Sequence, residues 1–101
     1  MRSARSSRPD DEASTLASLF RLLGDSSRLR IVVACLRAPL AVSEIATRLD
    51  LSISLVSHHL RLLKGARLVR GERRGKQVFY AAADQHVRRM VEDMLAHVSE
   101  G

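Results

Sequence analysis

The sequence predicts a mostly α-helical domain with one β-hairpin, in the order α-α-α-α-β-β-α. Three observations predict it. Apolar residues recur at i, i+3, i+4 and i+7 over most of the chain, the spacing of one helix face. Two short helical stretches, 43–49 and 53–64, are parted by the tight break Asp50-Leu51-Ser52. Two β-rich runs, 68–72 and 77–81, flank Arg73-Arg74-Gly75-Lys76, a basic tip with a glycine suited to positive φ.

Each element follows from local chemistry. Residues 1–10, with Arg2, Arg5, Arg8, three serines and Pro9, read as a disordered arm, leaving 11–101 as the folded domain. From Asp11, Leu16, Leu19, Phe20 and Leu23 form one stripe, and Gly24 ends that helix. Asp25 can cap the next helix, whose stripe is Leu29, Val32, Val33 and Leu36 and whose stop is Pro39. Cys35 beside that stripe reads as a small core hydrophobe. In the following pair, Ile45, Ala46 and Leu49 share one side of the first helix. Ser52 caps the second, which turns Ile53, Val56, Leu60 and Leu63 inward and is closed by Gly65. The last helix starts near Asp84, with Val87, Val91, Met94, Leu95 and Val98 on its apolar side. Two short helices across a tight turn, then a basic hairpin, make a winged helix-turn-helix.

Charge sharpens this. The net charge is +6, but residues 13–83 hold twelve Lys/Arg against four acids, net +8, while 84–101 hold two Arg against four acids, net −2. A basic body with an acidic last helix suggests a polyanion binder whose final helix has another task. The 101 residues suffice for one small domain, of a size often stabilised by a partner subunit. No apolar run approaches a membrane span, and MRSARSSRPDDEA lacks the hydrophobic segment of a secretory signal. The single cysteine excludes an internal disulfide and fits a reducing cytoplasm.

For DNA, Ser54, Ser57 and His58 on the outer face of the second helix are short polar groups for base edges, and Arg61 can reach base or phosphate. Arg70, Arg73, Arg74 and Lys76 on the wing suit the backbone or minor groove. His59 can either support the core or touch DNA. One recognition helix reads few bases, so double-stranded operator DNA is expected to meet a homodimer.

The last helix carries Asp84 with His86 at its start and His97 with Glu100 at its end. Eleven residues separate the histidines, roughly 16 Å at about 1.5 Å rise, yet they fall near one azimuth. One ion cannot bridge them within one helix. An antiparallel pairing of two copies brings Asp84 and His86 of one subunit to His97 and Glu100 of its mate, twice by symmetry. Two imidazoles and two carboxylates suit tetrahedral Zn(II). Four protein ligands close such a site, and no nucleophile–base arrangement occurs elsewhere, so an enzyme is not expected.

The blocks LGDSSRLRIV, SEIATRLDLSISLVSHHLRLLKGARLV and GKQVFYAA, within residues 16–100, resemble the ArsR/SmtB family of metal-responsive bacterial repressors. The resemblance implies homodimers through the first and last helices, and repression of metal efflux, sequestration or detoxification genes. It also implies that metal binding weakens operator affinity, through a link from His97 to a backbone carbonyl near Arg67. Asp84, His86, His97 and Glu100 match the family's last-helix site. Zn(II) is therefore the expected regulatory ligand, with Co(II) or Cd(II) as alternatives. The cysteines of soft-metal and redox members are absent from LAVSEIATRL and the arm. The rival reading is a winged-helix regulator with a structural ion or a non-metal inducer.

Overall fold

The computed structural model describes residues 9–101. Its elements are α1 (Pro9–Leu23), α2 (Ser26–Ala34), β1 (Leu40–Ala41), α3 (Val42–Leu49), α4 (Ile53–Gly65), β2 (Val69–Arg74), β3 (Gln77–Ala82) and α5 (Gln85–Glu100). The expected arm 1–10 lies outside the described residues except for Pro9 and Asp10, which belong to α1. Proline tolerates the first helical position because that N–H would be unpaired anyway, and Asp10, Asp11 and Glu12 complement the helix dipole.

The capping chemistry is local and well satisfied. Asp25 accepts from the Arg28 N–H at 2.9 Å, Ser52 from the Leu55 N–H at 3.1 Å, and Asp84 from the Val87 N–H at 2.9 Å. Ala41 offers no side-chain acceptor to α3. Instead Glu44 accepts from the Ala41 N–H at 2.9 Å, half of a capping box. Helix α2 ends at Ala34, five residues before Pro39, so that proline is not its stop. Leu36 is buried from the connection beyond the helix.

Between α3 and α4, Asp50 takes φ 57°, a left-handed turn that Asp adopts more readily than most residues. At the end of α4 the left-handed position is Arg67, φ 61°, and not the expected Gly65. The Leu68 N–H donates to Leu63 at 2.9 Å and the Arg67 N–H to Lys64 at 3.0 Å, a Schellman closure. Leu63 and Leu68, both fully buried, supply the apolar contact that accompanies such closures and help hold an arginine in a conformation that suits glycine.

The sheet has three antiparallel strands in the order β1-β3-β2. Strand β1 was not expected; it pairs Leu40 with Tyr80 and Ala41 with Phe79. In the hairpin, Val69 faces Ala82 and Arg74 faces Gln77. Arg73 and Arg74 thus belong to β2, and the turn is Gly75-Lys76 with Gly75 at φ 64°. The core gathers Ile31, Val32, Cys35, Ile45, Val56, Leu60, Leu63, Leu68 and Val69, contributed by α2, α3, α4 and the root of β2. Each aliphatic side chain buried there contributes roughly 1.5–3 kcal/mol. Helix α5 docks through Val91 and through Arg88, which donates to the Leu36 carbonyl. Among the described residues no helix is long and apolar enough to cross a membrane.

Candidate nucleic-acid interface and metal half-sites

Helix α4 divides sharply. Val56, His59, Leu60 and Leu63 are buried, while Ser54, His58 and Arg61 are exposed and Ser57 is half-buried. All four expected base-reading residues are therefore accessible on one helix. Ile53 departs from expectation. It belongs to the inward stripe by spacing but is 58% exposed, because it precedes the first turn that packs against the core. His59 is resolved in favour of packing. It is 7% exposed, and its Nδ1 has no hydrogen-bond partner. Burial holds this imidazole below the ordinary histidine value; Asp25 opposes the effect, and Arg28 and His58 reinforce it.

On the wing, Arg70, Arg73, Arg74 and Lys76 are all exposed. Strand alternation puts Arg70, Glu72 and Arg74 on one face and Arg73 on the other. Glu72 accepts from Arg70 and, at 3.0 Å, from Arg74. Those two hydrogen bonds hold its carboxyl below the usual glutamate range. The Arg74 guanidinium also lies 4.9 Å from the centroid of the Phe79 ring. The four cations are thus unequal. Two are braced by a shared carboxylate, whereas no carboxylate among the described residues bonds Arg73 or Lys76. Glu72 and Phe79 were missed in the sequence, although the alternation Arg70-x-Glu72-x-Arg74 carried the signal.

After the wing, Asp84, His86, His97 and Glu100 are all exposed on or beside α5. Asp84 is the extended N-cap of α5, φ −159°, and uses Oδ1 for the cap, leaving Oδ2 for a ligand. His86 sits within the first turn, and His97 and Glu100 one turn apart at the far end. Within one chain, no group of three or more His, Cys, Asp or Glu comes together among the described residues. The four candidate ligands remain two separate pairs. Their donors are imidazole nitrogen and carboxylate oxygen, both good zinc ligands, and all can be approached from solvent. The only thiol cannot join them: Cys35 is fully buried and its pKa is pushed up to about 11 by burial.

Between these pairs runs an unpartnered apolar face. Met94, Leu95 and Val98 of α5 are 54%, 43% and 72% exposed, and Leu16 and Phe20 of α1 are each 49% exposed. Phe20, Met94, Leu95 and Val98, together with Leu29, Met90 and Val91, line a shallow recess of about 260 Å³ between α1, α2 and α5. A stripe this apolar and this open is the signature of an interaction surface.

Comparison with known proteins agrees with this architecture. The family described as bacterial regulatory protein, arsR family, matches residues 25–70. The chain is 40% identical over 90 residues to a transcriptional repressor SmtB homolog of Synechocystis, covering 89% of this chain and 68% of that one. A cadmium metal-sensor CmtR from Mycobacterium tuberculosis superposes with TM-score 0.68 at 42% identity, over 76% of this chain and 80% of its own. A homodimeric winged helix-turn-helix DNA-binding domain from Mycobacterium bovis superposes with TM-score 0.84 at 25% identity, over 98% and 89%. The divided recognition helix, the basic wing and these likenesses lead to one conclusion: the chain belongs to the ArsR/SmtB family of bacterial winged helix-turn-helix transcriptional regulators, which are not enzymes.

Proposed function

We propose that this protein is a metal-responsive repressor that binds operator DNA as an apo homodimer and releases it on binding Zn(II), with Co(II) as the next candidate. The observation that carries the reading is the separation of two exposed ligand pairs, Asp84 with His86 and His97 with Glu100, at opposite ends of a helix whose apolar side lacks a partner. Antiparallel apposition of two such helices covers Met94, Leu95 and Val98 and completes two N₂O₂ sites together. Relatives named as a repressor and a cadmium metal-sensor support the metal reading. A donor set without sulfur favours Zn(II) over Cd(II) here.

Asp84 and His86 of one subunit with His97 and Glu100 of its mate would hold the cation, which would supply a rigid link between subunits. The chain's own residues do the rest. Asp84 holds the start of α5 while offering its second oxygen. Arg88 ties α5 to the Leu36 carbonyl, at the corner that leads into β1 and α3. A change in the angle between the two α5 helices therefore changes the spacing of the two α4 helices, and successive major grooves admit only one spacing. Each tenfold loss of operator affinity requires about 1.4 kcal/mol of coupling, and DNA weakens the metal by the same factor.

The test is fluorescence anisotropy of the dimer on a fragment from its own promoter, titrated with Zn(II). Release complete at two equivalents per dimer is expected. A complex that takes up zinc and stays on DNA would leave the ion structural and end the repressor-release reading.

A further inference from the structure

We propose that Ile53 is a specificity-determining residue that packs on the C5-methyl group of a thymine in the major groove, one in each half-site. The inference rests on α4 being the DNA-reading helix and adds what that helix selects.

Ile53 is the first residue of α4, directly after the Ser52 cap. The N-terminal residues of a recognition helix are the ones that reach base edges. At 58%, Ile53 is the most exposed large aliphatic residue among the described residues outside α5. Its neighbours on the surface are not those of the apolar α1–α5 face. It borders a recess shared with the start of α3, at Val42 and Ser43, and with the wing, at Gln77 and Val78. The exposed Ser54 follows it, and Ser57 lies one turn on. A largely exposed β-branched side chain thus stands between the serines of the reading helix and a basic hairpin, at the edge of a recess lined mainly by Ala41, Val42, Val78 and Tyr80.

Water does not favour that placement. A DNA major groove offers one apolar group, the thymine methyl, and aliphatic or methyl-bearing side chains recognise it by contact. The adjacent serines can bond either kind of base edge and discriminate little. Ile53 therefore supplies the apolar element that the serines lack.

The experiment selects duplexes from a randomised pool with the wild-type dimer. The best sequence is then re-synthesised with deoxyuridine replacing thymine, one half-site position at a time. Uracil differs from thymine only by the methyl group. The wild type should lose about fourfold in affinity per half-site at one position, the transfer value of one buried methyl group, and about fifteenfold when both half-sites are changed. Ile53→Ser should bind thymine and uracil duplexes equally there, while Ile53→Val, which keeps a branched aliphatic, should retain most of the difference. Circular dichroism of both variants checks that α4 is intact. Equal binding of thymine and uracil duplexes by the wild type at every position overturns the inference. So does Ile53→Ser retaining the difference, since another residue then holds the methyl. A selection that enriches no sequence at all would overturn the DNA-reading role of α4, and this inference with it.

Discussion

Arg73 gives the sharpest test of the expectation that the wing engages DNA. It is exposed on the face of β2 opposite Arg70, Glu72 and Arg74, and no carboxylate among the described residues matches its charge. Arg70 and Arg74 share Glu72, so part of their charge is already answered within the hairpin. Arg73→Ala removes one unmatched cation per subunit, hence two from a dimer. At about 0.9 per neutralised phosphate, the slope of log affinity against log salt should become shallower by about 1.8. Between about 50 and 200 mM salt, a slope difference of that size narrows the gap between wild type and variant by about twelvefold. Arg74→Ala is the internal control. It removes a charge already matched by Glu72 and braced on Phe79, so it should change the slope less. The assay is anisotropy on one operator duplex over a salt series at constant pH. Equal slopes for wild type and Arg73→Ala, or a larger change for Arg74→Ala, would refute the assignment of unmatched charge to phosphate contact.

Other outcomes follow from the same geometry. His86→Ala and His97→Ala homodimers should each lose zinc-dependent DNA release while keeping apo DNA binding; mixing the two chains should restore one intact site per heterodimer, seen as recovered tight zinc binding, and no recovery would sink the shared-site arrangement. Leu95→Glu places a charge on the unpartnered face of α5 and should yield monomers in sedimentation with the helical signal retained; a persisting dimer would move the interface elsewhere. Burial holds the His59 imidazole below the ordinary histidine value of 6.5, so as pH falls the unfolded chain takes up this proton before the folded chain does. Stability should therefore be full above that value and fall as pH drops below it, and His59→Phe should flatten the decline in thermal melts; parallel curves would show that the imidazole is not the cause.

Much of this architecture could be read from the sequence because its signals are local. Asp25, Ser52 and Asp84 are caps whose acceptor oxygens bond the backbone three residues on, and Gly75 sits where the hairpin needs positive φ. What escaped was set by tertiary packing. Two residues, Leu40 and Ala41, are too few for any periodicity, and only the pairing with Tyr80 and Phe79 makes them a strand. Ile53 fits the inward stripe but lies beyond the end of the core it would enter. Arg67 takes the left-handed position because the buried Leu63 and Leu68 around it fix the chain path, overriding the preference that pointed to Gly65. The proposed metal half-sites were expected from spacing alone. The half-sites' exposure and the use of Asp84 Oδ1 in capping became visible only in three dimensions.

Cys35 has a practical consequence of a different kind. Its sulfur is fully buried and resists ionisation, so alkylating reagents should leave the native protein untouched. As the chain's sole sulfhydryl, it becomes a ready-made clock for opening: the rate at which a maleimide adds to it counts excursions of the α2–α3 core into solvent. Zinc and operator can each be scored on that clock without introducing a label.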